Sequence, residues 1–419
     1  MKLQNLLSRL ERHHKKKIDL SLDRTFNLLK KLGKPQEKLK NIVSIVGTNS
    51  KASMAYSLKS ILNEAGYKCN LYTSPHLQSY TERFIFDDKE INEENLLELL
   101  LDIEKFLKDD QATVFEILTC AYIKYATNFQ NNLNIIEAGL FHQFDSTNVF
   151  KKNLLTLIGY IHYDHISWLK NKTIDGIIYE KTTKLLNSNI FVNQQENKEI
   201  TSKIEKALVN NKSKKYFFGK DFNICRAENN FIQYQDQFGE IILPEPNLLG
   251  DHQLGNISTS IAASRKLFNV KDKHIKRGIT KIKLKGRLQE IKSGKLKDLI
   301  KDNRLLLDGS HNEDSSRVLN EYLMTLDCDK HLIVGMMANK DHKKYISYFK
   351  NISSFTTIDI PNQPNAISGI ELKQKFQNLP NIQYKESIEQ AIKSIPLKKN
   401  DLLIIAGSLY LSGEFLKLN

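Results

Sequence analysis

A chain of 419 residues, 40% of them hydrophobic, is too long for one ordinary core and apolar enough to fill two. Its net charge of +14 would suit a polyanion, but the lysines are spread over presumptive helix faces. No stripe interleaves basic with aromatic residues, so nucleic acid is not the expected partner, while anionic small substrates would benefit. No run reaches the roughly 18 apolar residues of a membrane span. The four cysteines, Cys69, Cys120, Cys225 and Cys328, lack C-x-x-C spacing and read as reduced packing residues of a cytoplasmic protein.

In chain order, Leu3, Leu6, Leu7 and Leu10 among charged neighbours form a helical face, not a signal peptide. The dense basic cluster His13, His14, Lys15, Lys16 and Lys17 follows. From Asn41 onward, apolar runs at 42–46, 69–73, 133–137, 154–158 and 190–192 alternate with amphipathic stretches, the rhythm of a mostly parallel sheet wrapped by helices. Residues 215–243 change to short alternating strands, a small antiparallel excursion before a helix at 254–268. A second α/β rhythm begins near Arg287, with strands at 305–308, 332–334, 355–358 and 402–405. The polar stretch Lys283, Leu284, Lys285, Gly286 marks a hinge. The expected domains are therefore 1–285, an α/β phosphate-loop domain with an N-terminal helical segment, and 286–419, a smaller Rossmann-like α/β domain.

Strand 42–46 runs into Gly47, Thr48, Asn49, Ser50, Lys51, Ala52 and Ser53 and then a helical stretch. Backbone N–H groups at a helix start attract phosphate and Lys51 can neutralise it. The glycine of G-x-x-x-x-G-K-[ST] is missing before Lys51, so spacing alone leaves phosphate binding and a plain strand-to-helix turn both open. A positive φ at Ser50 would cost roughly 1–2 kcal/mol. Ser74, Glu137 and Asp164-His165 follow the second, third and fourth strands, at the carboxyl ends where open α/β sheets collect ligands. Singly they read as a turn, a surface carboxylate and a cap. Lys181, inside the amphipathic stretch 173–186, reads by itself as solvated. Arg287 sits at the hinge, and Asp308 to Asn312 follows the first strand of the second domain, where a salt bridge and an Asx turn are the plain alternatives.

Taken together and in this order, these segments resemble the folylpolyglutamate synthase and dihydrofolate synthase family, a branch of the Mur-type ligases. The likeness runs over nearly the whole chain. It takes in Ile18 to Leu22, the Gly47 loop, Ser74-Pro75-His76-Leu77 with Glu82-Arg83, Thr113 to Glu116, and Glu137 to Leu140 with Asp145 to Asn148. It continues through Asp164-His165, Glu180-Lys181, His252-Gln253 with Asn256, Gly286 to Leu288, Asp308 to Asn312, Gly335-Met336 with Lys340-Asp341, and Gly407 to Leu411.

The resemblance implies an ATP-dependent ligase. ATP phosphorylates a pteroate or folate carboxylate, and the amine of L-glutamate attacks the acyl phosphate. Thr48, Asn49, Ser50 and Lys51 would hold the ATP phosphates, Asn256 the adenine, Arg287 the phosphates and Asp308 the ribose. Ser74, Glu137 and His165 would hold Mg²⁺. A carbamylated Lys181 would serve a second Mg²⁺, which requires a buried lysine of depressed pKa. His311, Ser408 and Tyr410 would handle glutamate, with Lys51, Lys181 and His311 the catalytic set. Asp19, Leu20, Ser21, Leu22, Thr113, Val114, Phe115, Glu116, Phe144, Asp145 and Ser146 would face dihydropteroate or folate. The matches at 19–22 and 113–116 imply a bifunctional enzyme, expected as a monomer without membrane or nucleic-acid partners.

Two departures stand out. The family loop reads GTNGKGS, whereas Ser50 and Ala52 replace its later glycines, and Phe141-His142-Gln143 replace Gly-Gly-Arg. They motivate the alternative of a catalytically impaired ATP or folate binder. A cell-wall Mur-type ligase is disfavoured because no separate nucleotide-sugar domain precedes Ile42.

Overall fold

The computed structural model describes residues 2–12, 20–107, 111–227 and 231–419. Asp19 and the basic cluster at 13–17 lie outside the described residues. The chain divides into two compact units, one of Met1–His76, Tyr80–Asn247 and Gln253–Ile282, the other of Leu77–Ser79, Leu248–His252 and Lys283–Asn419.

The first unit is built on β1 (Ile42–Val46), β2 (Cys69–Tyr72), β3 (Phe84–Phe86), β4 (Lys89–Glu90), β5 (Leu133–Glu137), β6 (Leu155–Ile158), β7 (Asn189–Val192) and β8 (Lys214–Phe217). They lie in the order β4-β3-β2-β5-β1-β6-β7-β8, parallel from β2 to β8, with β3 and β4 an antiparallel edge hairpin. Every residue of β1 and β5 is buried, as parallel strands covered on both faces require. On one face, Leu6, Leu7 and Leu10 of the helix Leu3–Leu10 join Leu96, Leu100 and Ile103 of Glu93–Leu107 and Tyr122 of Val114–Ala126. Truncating any one of these leucines to Ala would cost ~2–5 kcal/mol. A separate core gathers Val46, Ile158, Ile177, Ile190, Ile200 and Ile204. The helix Lys51–Glu64 packs against Asp272–Thr280, where a Cβ on Gly278 would stand 2.7 Å from the Ile61 Cα.

The antiparallel excursion starts later than residue 215. Strands β9 (Phe222–Arg226), β10 (Ile232–Asp236) and β11 (Gly239–Leu243) form a three-stranded sheet in the order β11-β10-β9, while β8 pairs parallel with β7. As the last strand of the large sheet β8 fully buries only Phe217, so its pattern reads from sequence like that of a small-sheet strand.

In the second unit, β12 (Gln289–Glu290), β13 (Arg304–Leu307), β14 (Lys330–Val334), β15 (Ser354–Ile358), β16 (Ile382–Lys385) and β17 (Leu402–Ala406) lie in the order β12-β13-β17-β14-β15-β16. All pair parallel except β12. At the amino ends of three neighbouring strands, His331 Nδ1 meets Ser354 Oγ at 2.7 Å and His331 Nε2 meets Asp401 Oδ2 at 3.2 Å. Cys69 and Cys120 are buried as expected of packing residues, but Cys225 is exposed on the outer face of β9. Among the described residues no helix is long and apolar enough to cross a membrane.

Candidate active site

In the first unit, strand order reverses about β1, whose neighbours β5 and β6 both come later in the chain, and such a switch point opens a crevice at the carboxyl ends. Gly47 leaves β1 at φ 151, and a Cβ there would stand 3.0 Å from the Gly159 Cα. The Thr48 and Asn49 amides both donate to the Tyr160 carbonyl, at 2.9 and 3.2 Å. Thr48 Oγ1 donates to the His162 carbonyl at 3.0 Å and accepts from the His162 amide at 3.1 Å. Thr48 and Asn49 thus shape the loop through the backbone after β6. Ser50 takes φ 71, a left-handed conformation, directly before the helix Lys51–Glu64. Its Oγ donates to the Asn49 carbonyl at 2.5 Å and accepts from the Tyr160 amide at 2.9 Å. The first-turn amides that follow are the donors a helix leaves without internal acceptors.

Lys51, Ser74, Glu137 and Lys181 are brought together here. Lys51 Nζ donates to the Thr48 carbonyl at 3.1 Å and lies 3.8 Å from Glu137 Oε1. Glu137 is buried, not the surface carboxylate of the plain reading, and its Oε2 accepts from the Ser74 amide at 3.2 Å. Lys181 is only 5% exposed, near the end of the helix Ile174–Thr182, which stops short of the predicted stretch. Its Nζ donates to the Gly47 carbonyl at 2.8 Å. Burial first, then the Lys51 charge, push the Lys181 pKa down to about 7 against the pull of Asp164 and Asp145. Its amine is therefore substantially neutral near neutral pH. His165 adopts φ 54, and its partly exposed ring lies beside Asp164, Nε2 to Oδ2 3.8 Å. A buried carboxylate is a hard oxygen donor of the kind Mg²⁺ takes, but among the described residues no three His, Cys, Asp or Glu side chains cluster as a metal site.

The residues predicted to face the pterin divide by role. Thr113 and Glu116 form a capping box at the start of Val114–Ala126, and Arg24 grips the Glu116 carboxylate at 2.9–3.2 Å. Val114 and Phe115 are half-buried, and a Cβ on Gly139 would stand 2.4 Å from the Phe115 ring. Asp145 accepts from the Leu140 amide at 2.7 Å and from the Thr147 amide at 3.0 Å, and burial raises its pKa. Ser146 Oγ lies 3.0 Å from Thr119 Oγ1. Phe144 is exposed under Lys184 Nζ, 4.7 Å from its ring centroid. Leu20 packs toward the core containing Phe141, Leu22 toward the helical core, and Ser21 Oγ accepts from the Asp23 amide at 3.2 Å.

Asn256, in the helix His252–Leu267, is buried in an amide network with Gln253 and Asn193 at 2.9 and 2.7 Å. Gln195 accepts from the Ile161 amide at 3.0 Å and donates to the Gly159 carbonyl at 3.2 Å. Asn193, Gln195, Tyr160 and Arg24 were missed by sequence reasoning. A polar triplet at 193–195 directly after an apolar strand was the available signal for the first two; nothing local marks Arg24.

In the second unit, Asp308 follows β13 and is buried, accepting from the Leu288 and Ser310 amides at 2.8 Å each. The Ser310 contact is the predicted Asx turn. Burial raises the Asp308 pKa and the Arg287 charge opposes it. Arg287 Nη1 donates to the Gly286 carbonyl at 3.1 Å, and a Cβ on Gly309 would come within 2.7 Å of it. His311 Nδ1 lies 3.0 Å from the Gly309 carbonyl. Ser408 caps the helix Leu409–Leu418 by accepting from the Tyr410 amide at 3.1 Å, and Tyr410 is exposed. Asp308 and His311 follow β13, and Ser408 and Tyr410 follow the adjacent strand β17, whereas Arg287 precedes β12.

Residues 293–418 match the family described as "Dihydrofolate synthetase, C-terminal domain". The chain is 26% identical to the dihydrofolate synthase/folylpolyglutamate synthase of Bacillus subtilis, over 94% of each chain. It is 25% identical to the dihydrofolate synthetase of Saccharomyces cerevisiae, over 96% of this chain and 98% of the yeast protein. Among solved structures it is similar to Escherichia coli FolC in complex with DHPP and ADP, with a TM-score of 0.88, 25% identity and coverage of 100% of this chain and 97% of that one.

Proposed function

We propose that this chain, a member of the folylpolyglutamate synthase and dihydrofolate synthase family, is the ATP-dependent ligase that adds L-glutamate to dihydropteroate and to folates. The observation that carries the reading is the meeting of Lys51, Glu137 and Lys181 around the Gly47 loop, in a chain aligned end to end with such ligases.

The carboxylate of the pterin substrate attacks the γ-phosphorus of ATP, giving an acyl phosphate and ADP. The glutamate amine then adds to the acyl carbon, its nitrogen gives up a proton, and phosphate leaves with its bonding electrons and takes up a proton, forming the amide. Both steps depend on positioning and charge neutralisation. The amides of the first turn of Lys51–Glu64 and the Lys51 ammonium take the ATP phosphates. Arg287 adds charge to the phosphates, Asp308 takes the ribose and Asn256 the adenine edge. His311, Ser408 and Tyr410 orient glutamate, and Phe144, Asp145 and Ser146 the pterin.

The neutral amine of Lys181 is suited to carbamylation. Its lone pair forms a C–N bond to CO₂, one C–O π pair becomes a carboxylate, and the nitrogen releases a proton to solvent. This turns a neutral amine beside Lys51 into an anionic oxygen donor. One Mg²⁺ held by Ser74, Glu137 and His165, and a second held by the modified Lys181, would neutralise phosphate charge.

Relatives named for one activity or the other are almost equally similar, at 25% and 24% identity, so identity does not separate the two activities. Purified protein with ATP and Mg²⁺ should release ADP in a glutamate-dependent manner with dihydropteroate and, separately, with a reduced folate. Release with one acceptor alone makes the enzyme monofunctional, and release with neither refutes the reading. The same reading expects a cytoplasmic protein and a monomer, and molar mass by light scattering would check the oligomeric state.

A further inference from the structure

The register of β6 with β1 and β7 ends at Ile158, so the Gly159 carbonyl and the peptide groups beyond it need partners outside the ladder. Two of these groups serve the phosphate loop. The Tyr160 carbonyl accepts from the Thr48 and Asn49 amides, and the Tyr160 amide donates to Ser50 Oγ. The groups on either side, the Gly159 carbonyl and the Ile161 amide, both go to the Gln195 side chain, at 3.2 and 3.0 Å. Gln195 thus brackets the residue on which Thr48, Asn49 and Ser50 converge.

Gln195 is itself held in place. It is buried directly after β7, and its Nε2 also donates to the Asn193 carbonyl at 2.8 Å. Asn193, buried as well, accepts at Oδ1 from Thr259 Oγ1 at 2.9 Å and donates from Nδ2 to Asn256 Oδ1 at 2.7 Å. The Gln195 amide therefore uses its oxygen and both N–H donors, in an interior where each lost bond strands a backbone group.

We propose that Gln195 is a positioning residue for the nucleotide: by holding Tyr160 from both sides, it fixes the loop that takes the ATP phosphates. This rests on the reading of the Gly47 loop as a phosphate site. Gln195 acts through Tyr160 and needs no contact with the nucleotide. Without it the loop occupies its binding geometry for a smaller fraction of the time, and affinity falls by that fraction.

Titration calorimetry of the intact protein with Mg²⁺ and either ADP or inorganic tripolyphosphate reads the loop, the second ligand having neither base nor ribose. Gln195→Met keeps the length of the side chain and removes all three bonds. Affinity for both ligands should fall about tenfold, the scale of one or two ordinary hydrogen bonds. Should that variant not fold, Gln195→Glu keeps an acceptor for the Ile161 amide, loses both donors, and should weaken both ligands at least about threefold. With dihydropteroate as acceptor, the KM for ATP should rise while the KM for dihydropteroate stays within about twofold, a split that loss of folded protein does not give. Gln195→Met and Ser50→Ala act on the same peptide, so their combined loss should fall short of the product of the single losses by at least about threefold. Unchanged affinity for either ligand, two KM values that rise together, or losses that multiply overturn the inference and leave the phosphate-site reading standing. A parent that binds neither ligand refutes that reading, and the inference with it.

Discussion

Ser50 is both strained and bonded, and substitutions can separate the two. At φ 71 an L-residue costs roughly 1–2 kcal/mol that glycine would not. Against that, its hydroxyl makes two hydrogen bonds, to the Asn49 carbonyl and from the Tyr160 amide. Ser50→Ala keeps the strain and removes both bonds, leaving the Tyr160 amide without its acceptor. With a loss of ~1–2 kcal/mol in loop order, nucleotide affinity should fall about five- to thirtyfold. Ser50→Gly loses the same bonds but relieves the strain, so its affinity should stay within about threefold of the parent. Titration calorimetry with ADP and Mg²⁺ measures both. Glycine binding more weakly than alanine, or alanine binding like the parent, would mean that φ and the hydroxyl do not govern the loop.

Lys181 supplies a pH prediction. Its folded pKa of about 7 lies below its ordinary 10.5, so between these values the unfolded chain binds the proton that the native chain lacks, and stability rises with pH. In CO₂-free buffer the stability advantage of Lys181→Met, on the order of a few kcal/mol near pH 7, should shrink by pH 9; a gap that pH does not change refutes this. Gly159→Ala would set a Cβ 2.5 Å from Ser50 Oγ and 2.8 Å from the Asn49 carbonyl, so ADP binding should be lost, with only partial recovery in the Gly159→Ala, Ser50→Gly double variant because the carbonyl remains. Full ADP affinity in Gly159→Ala would show that the loop can shift freely. Arg24→Ala should destabilise the first unit by ~2–4 kcal/mol in urea unfolding by stranding the buried Glu116 carboxylate, and adding Glu116→Gln should return part of that; a loss below ~0.5 kcal/mol would make the pair a surface contact.

What was legible in the sequence follows from how local each signal is. The runs at β1 and β5 are apolar throughout because both faces are covered, and they were readable without context. The last strand β8 was misplaced because it fully buries only one residue and so resembles a small-sheet strand. Lys181 shows the limit most clearly. Helical pattern alone makes it a solvated lysine, and only the order of motifs along the whole chain predicted its burial. Arg24 lies 92 residues from Glu116, a pairing no local pattern carries. The strain at Ser50 was foreseeable from the missing glycine, but its hydrogen bond to the backbone beyond β6 was not, since it joins residues 110 positions apart.

The imidazole bridge at the base of the second sheet has its own consequence. His331 Nε2 faces the Asp401 carboxylate and Nδ1 faces the Ser354 hydroxyl, so one ring reaches both neighbouring strands. His331 is in register with Ser354 on one side and Leu403 on the other. Sliding β14 by one residue would turn the ring to the opposite face and break both contacts at once. One side chain thus specifies the alignment of three strands at the end remote from Asp308 and Ser408, leaving the carboxyl-end loops free to vary in length and chemistry over a sheet whose alignment they need not encode.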